Sequence, residues 1–144
     1  MNDTGERAYG NLIHKAFSFI DTIDDLEAAV SRLEADGDIK PSEREVLIGK
    51  LSEVVLHPEV SSFFKPGLSV KKEAEIILSN GDLLRPDRVV IDRDQAIVID
   101  FKTGMKKTEH HVQITSYKNQ LTEMGYHQVR AVLIYVDPVE VVEL

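Results

Sequence analysis

The chain has no cysteine among its 144 residues. That excludes disulfides, cysteine-ligated zinc and cysteine-ligated iron–sulfur clusters together. No apolar run approaches the roughly 20 residues that a membrane helix needs, so no membrane partner is expected. The first residues, Met1-Asn2-Asp3-Thr4-Gly5-Glu6, carry neither a basic nor an apolar segment, so no secretory signal is expected. These absences together fit a cytoplasmic chain. Internal repeats and low-complexity segments are also lacking. Positive charge is in short supply: 17 Lys and Arg stand against 25 Asp and Glu, a net charge of −8. Phosphate binding leans on Lys and Arg, so this balance argues against a free-standing, nonspecific DNA binder. It leaves room for carboxylates whose charge is offset by bound metal ions. It also leaves room for a module whose grip on DNA comes from a neighbour.

What is present is ordinary for a globular chain, 42% hydrophobic and 29% charged, of single-domain length. Residues 1–65 read as helical and residues 66–144 as strand-rich with one helix. Tyr9, Leu12, Ile13, Ala16, Phe17 and Ile20 fall at helical spacings over residues 6–20. Thr22 is placed to cap a second helix, with Leu26, Ala29, Val30 and Leu33 as its apolar stripe and Gly37 as its end. Pro41-Ser42 opens a third, with Val46, Leu47, Leu51, Val54 and Val55 expected to face inward and His57-Pro58 closing it. The turn from Glu59 to Phe64 is expected to tuck its phenylalanines under a sheet.

From Val70 the period changes to that of a strand. Asn80-Gly81 signals a hairpin, and residues 83–91 form the expected return strand. Asp92 to Gln95 is a turn. Ala96-Ile97-Val98-Ile99 is a continuous apolar run, as a central strand buried on both faces requires. Residues 108–124 read as a helix, 129–136 as another buried strand, and 139–144 as an edge strand or the start of a linker. The implied fold class is α/β.

The chemistry concentrates where the central strand ends. Alternation puts Asp100 and Lys102 on one face and Phe101 on the other. Alone, that is equally the mark of a strand-end ion pair. Asp87, thirteen residues upstream on the preceding strand, can be brought beside Asp100 by the intervening hairpin. It is otherwise a turn residue after Pro86, paired with Arg88. Two adjacent carboxylates repel unless a cation lies between them, and hard oxygen donors suit Mg²⁺ or Mn²⁺. Glu73, with Glu75 two residues on, can reach the same edge or sit on a solvated face. Gln113 and Tyr117, four apart, share a helix face. His14 sits among apolar neighbours, with Gly10 one turn earlier suited to a close approach. His110 and His111, adjacent on a helix, diverge by about 100° and read as helix surface. His57 and His127 read as ordinary polar positions.

The set Gly10-Asn11-Leu12-Ile13-His14, Glu73, Leu84-Arg85-Pro86-Asp87-Arg88, Val98-Ile99-Asp100-Phe101-Lys102-Thr103-Gly104 and Gln113-Ile114-Thr115-Ser116-Tyr117 resembles the RecB-like branch of the PD-(D/E)XK nucleases. The resemblance spans residues 10 to about 136. It implies a restriction-endonuclease-like core, a mixed central sheet flanked by helices, with an N-terminal helical extension. It implies a Mg²⁺- or Mn²⁺-dependent deoxyribonuclease, an exonuclease by preference, acting in DNA repair or recombination. His14, Asp87, Asp100 and the Phe101 backbone carbonyl would ligate the metal, with Glu73 in a supporting or second-metal role. Asp87, Asp100 and Lys102 would form the catalytic core, with Lys102 orienting or deprotonating the attacking water. Gln113 and Tyr117 would complete the wall. Partners would be DNA and a helicase, either a domain in cis of the UvrD/AddA type or a separate subunit. The chain would then be one nuclease domain from a longer protein. It departs from many relatives in lacking an acid shortly after the histidine, and the cysteine-free sequence excludes the iron–sulfur subtype. A domain that keeps this fold but only binds DNA or a partner is the alternative.

Overall fold

The computed structural model of the chain describes residues 3–72, 76–77 and 83–144. Glu73, Glu75 and the Asn80-Gly81 turn lie outside the described residues.

Helix α1 (Asp3–Ser18) buries Ile13, Ala16 and Phe17, with Tyr9 and Leu12 half-buried beside them. That stripe is the one its spacing predicts. The cap at Thr22 forms as a reciprocal box. Its side chain accepts from the Asp24 N–H, and the Asp25 carboxylate accepts from the Thr22 N–H. A 3-10 turn, Ile23–Asp25, then feeds α2 (Leu26–Ala35), which buries Leu26, Ala29, Val30 and Leu33. Gly37, at φ +81°, supplies the left-handed residue that ends it. Helix α3 (Arg44–Val55) buries Leu47, Leu51, Val54 and Val55. Val46, expected inward, is instead 78% exposed. The buried set repeats at i, i+4, i+7 and i+8, and the residue before its first member is turned about 100° away.

The return strand expected over residues 83–91 is divided in two, between Leu84 and Arg88. Among the described residues four strand segments occur here: β1 (Ser69–Lys72), β2 (Ile76–Ile77), β3 (Leu83–Leu84) and β4 (Arg88–Asp92). Among the described residues β2 and β3 pair with each other as a two-stranded antiparallel ribbon, while β1 pairs with β4. Pro86 stands in the break between β3 and β4; it has no N–H to give to a ladder. β4 turns at Asp92 into β5 (Gln95–Lys102), which crosses through α4 (Thr108–Glu123) to the parallel β6 (Gln128–Val136). β7 (Val139–Glu143) returns antiparallel along the edge. The result is a five-stranded mixed sheet in the order β1-β4-β5-β6-β7.

Helices cover both faces. On one, α1, α2, α3 and the turn Ser61–Phe64 pack over Val90, Ile97, Ile99, Phe101, Val132 and Ile134. On the other, Ile114, Tyr117 and Leu121 of α4 pack over Val89, Val98, Ala131 and Leu133. Ala96–Ile99 is buried, as its unbroken apolar run requires. Among the described residues no helix is long and apolar enough to cross a membrane.

A polar latch ties α1 and α3 to the end of β6. Tyr9 donates to Asp137 Oδ2 at 2.6 Å, and Lys50 Nζ stands 2.6 Å from Asp137 Oδ1. Burial opposes ionisation of Asp137, but the hydrogen bonds from Lys50 and Tyr9 outweigh it and lower its pKa below the usual 3.8. A carboxyl whose folded pKa is depressed stabilises the fold above its unfolded value, and that contribution is lost as pH falls through the folded one. Asp137→Asn is therefore expected to lower Tm at pH 7 and to leave it equal to wild type near pH 2. Thermal melts of both proteins across that range check this, and a Tm gap that persists unchanged at low pH refutes it.

Candidate active site

The β4–β5 ladder pairs Arg88 with Ile99, so Asp87 lies across from Asp100 just past its end. The two acids are joined through the backbone. The Asp87 N–H donates to Asp100 Oδ1 at 2.9 Å, and the Phe101 N–H donates to Asp87 Oδ2 at 2.9 Å. This is the juxtaposition that the hairpin was expected to produce. It fixes both carboxylates without neutralising either.

Lys102 follows two residues on, along the same strand face. Its Nζ lies 3.7 Å from Asp100 Oδ2 and donates to Gln113 Oε1 at 2.8 Å. Gln113 Nε2 donates to the Tyr117 hydroxyl at 3.1 Å. The i, i+4 pair on α4 is thus one hydrogen-bonded chain reaching Lys102. Phe101 points the other way, stacked on Phe17 with ring centroids 3.9 Å apart and planes 5° from parallel. That stack anchors the strand segment that carries Asp100 and Lys102 to α1. The Phe101 carbonyl belongs to the same segment, between the two side chains.

His14 enters from α1, with Nδ1 2.9 Å from Asp87 Oδ2. The approach raises the imidazole pKa against the effect of burial, yet Nδ1 lacks a well-directed hydrogen bond. Gly10, one turn earlier, lies against the end of β5: a Cβ there would stand 3.2 Å from Thr103 Oγ1. The close approach anticipated for this glycine is present, and it lets α1 lie near enough for His14 to reach Asp87.

Asp100 is 3% exposed. Burial and then the charge of Asp87 push its pKa up to about 7, against the Asp87 N–H bond, Lys102 and His14. An acid in that position calls for more positive charge than the protein supplies. The Tyr117 hydroxyl is likewise raised, by burial and by Asp100.

His14, Asp87, Asp100, Lys102, Gln113 and Tyr117 all line one cavity of about 410 Å³. Four unanticipated residues share it: Asn11, Lys15, Ser18 and Arg85. Asn11 and Ser18 lie three before and four after His14 on α1, at the helical spacing that could have found them once His14 was chosen, whereas Lys15, the next residue, carried no such signal. The position of Glu73 is not described. His110 is not bare helix surface: it is half-buried, with Nδ1 2.8 Å from the Tyr135 hydroxyl. His57 serves its own turn, accepting from the Glu59 N–H. Asp87 and Arg88 are not a pair; the guanidinium turns into the core instead.

The donor chemistry suits a hard divalent ion: two carboxylates, one short of compensating charge, and an imidazole nitrogen without a directed partner. A closed shell is not preformed, since no group of three His, Asp or Glu side chains is set to hold a metal among the described residues.

A scan against protein-family models finds no match, and a search of curated proteins finds no similar one. Seven chains of solved structures match. One is the crystal structure of SSO0001, at a TM-score of 0.37 and 19% identity, covering 90% of this chain. The present chain spans 65% of that chain's length.

Proposed function

We propose that this chain is a metal-dependent deoxyribonuclease with a PD-(D/E)XK core. In this reading it hydrolyses DNA phosphodiester bonds in repair or recombination, as a module working with a helicase in cis or in a complex. The observation that carries the reading is the meeting of Asp87, Asp100 and Lys102 in one cavity, with Lys102 held by Gln113. A helix-flanked mixed sheet with Asp100 and Lys102 at the end of its central strand and Asp87 beside them supports the family resemblance of the motifs.

Asp87 and Asp100 would hold a Mg²⁺ or Mn²⁺ ion, joined by His14 and the Phe101 carbonyl. When bound, such an ion supplies Lewis acidity to a phosphate oxygen and lowers the pKa of a water molecule. The chain's own residues do the rest. Gln113 fixes the Lys102 ammonium by accepting a hydrogen bond from it through Oε1. The remaining protons of Lys102 are free to orient the attacking water and to offset charge that develops on the phosphate. Tyr117 keeps Gln113 in the orientation that presents Oε1 to Lys102.

The competing reading is a domain that binds DNA or a partner and does not cut. It draws on the lack of a preformed three-residue metal shell among the described residues. Two measurements decide between them. Calorimetry with Mn²⁺ is expected to show binding that Asp87→Asn abolishes. Labelled single- and double-stranded oligonucleotides are expected to be cut in Mg²⁺ or Mn²⁺ and to survive in EDTA. Absence of both Mn²⁺ binding and cleavage selects the non-catalytic reading.

A further inference from the structure

A second cavity, of about 430 Å³, adjoins the first and shares Asn11 and His14 with it. Its walls are the early turns of α1 and the connection from β5 to α4. Arg7, Gly10, Asn11 and His14 occur at i, i+3, i+4 and i+7, so they form one stripe down α1. Thr103 and Lys107 face that stripe from the connection. Gly10 adds no side chain to the floor.

The charges are arranged against the trend of the whole molecule. Acids outnumber bases overall, at 25 to 17. Among the described residues Glu6 is the one acid lining this second cavity, against Arg7 and Lys107. Other cations nearby are already engaged. Lys15 is held by Asp36 and Asp38, Lys106 by Glu140, and Lys102 by Gln113 beside Asp100. Arg7 and Lys107 are exposed and make no ion pair among the described residues. Two cations unpaired among the described residues, over a groove that opens into the cleavage cavity, suit a run of phosphates. The distance fits as well. Seven residues of helix rise about 10 Å from Arg7 to His14, the axial span of two to three nucleotides at about 3.4 Å each.

We propose that this groove is a phosphate-binding shelf, on which Arg7, Lys107 and Thr103 hold the sugar-phosphate backbone of a DNA strand two to three nucleotides from the bond to be cut. The shelf rests on the nuclease reading for the position of that bond, but its affinity for DNA can be measured without cleavage. It gives an acidic domain a local grip on its substrate.

The test is the salt dependence of binding. A fluorescein-labelled single-stranded 15-mer is titrated in EDTA from 50 to 200 mM KCl, and binding is followed by anisotropy. The comparison is wild type against R7Q/K107Q, with K65Q/K71Q as a control of equal charge change on exposed positions elsewhere. The shelf variant is expected to lose about 1.4 from the slope of log K against log salt, near 0.7 per single-strand phosphate contact. At 100 mM KCl it is expected to bind roughly 10- to 30-fold more weakly, from the same counterion-release relation. Both replaced side chains are exposed, so Tm is expected to stay at the wild-type value. A slope no different from the control overturns the shelf, and Mg²⁺-dependent cutting of the same oligonucleotide then leaves the nuclease reading standing. A lowered slope in a protein that never cuts upholds the shelf and overturns the nuclease reading. No measurable binding by wild type overturns the shelf outright.

Discussion

Lys102→Ala is expected to lower kcat by about 10²- to 10³-fold, the usual cost of removing one preorganised donor from a developing oxyanion, while Mn²⁺ affinity stays within a few-fold of wild type. An ammonium donates no electron pair, so it is no metal ligand. Removing it leaves both carboxylates in place, since they are tied through the Asp87 and Phe101 N–H groups rather than through Lys102. Asp100→Ala is the contrasting variant and is expected to lose both metal binding and cleavage. Lys102→Arg is not expected to rescue activity, because a planar fork cannot take the place of a compact ammonium seated on Gln113 Oε1. Single-turnover cleavage with saturating metal separates these cases. Lys102→Ala retaining more than about half of the wild-type rate would end its assignment. Loss of Mn²⁺ binding in the same variant would make it a positioning residue for Asp100.

The parts of the site legible in the sequence are those governed by short periods. Strand alternation placed Asp100 and Lys102 together and Phe101 opposite. Helical spacing placed Gln113 against Tyr117, and the apolar run at Ala96–Ile99 marked the central strand. The meeting of Asp87 with Asp100 was legible because only a short hairpin separates them. What the pattern concealed depends on contacts distant in the chain. The division into β3 and β4 at Pro86 is decided by which partner each half finds: β3 pairs with β2, and β4 with β1 and β5. The exposure of Val46 depends on how α3 is rotated against α2, which one apolar residue cannot announce. His110 reaches Tyr135 across a parallel crossover, 25 residues away. Arg7 and Lys107, which make no ion pair among the described residues, could not be singled out within a net charge of −8, because only the fold shows which cations are already neutralised.

Arg88 is the largest fully buried side chain among the described residues and the clearest case of such hidden structure. It is 1% exposed, and no carboxylate of the described residues forms an ion pair with it. Its Nη1 donates to the Ile20 carbonyl at 2.6 Å. Its Nη2 donates to the carbonyls of Asp21 and Phe63, at 2.7 and 3.0 Å. The guanidinium carbon lies 4.0 Å from the centre of the Phe64 ring. Desolvation pushes its pKa down to about 10, partly offset by the charges of Asp21 and Asp25, and it stays protonated at neutral pH. One side chain thus joins the chain just after α1, the Ser61–Phe64 turn and the first residue of β4. Arg88→Ala strands three carbonyls and removes the stacked cation. A few kcal/mol, about 3 to 5, is the expected loss, as for breaking a buried charged network. For a domain of this size that lowers Tm by roughly 10–20 °C. Arg88→Met separates the causes, since it keeps most of the bulk against Phe64 but none of the donors. A Tm near that of Arg88→Ala assigns the loss to the carbonyls, and a Tm near wild type assigns it to packing. Arg88→Ala melting within about 2 °C of wild type would show that α1 is held by its apolar stripe alone. The same variants report on the site, because Arg88 follows Asp87 directly and clamps the exit of the helix that carries His14. Loosening that clamp is expected to weaken Mn²⁺ binding at temperatures where the fold is still intact.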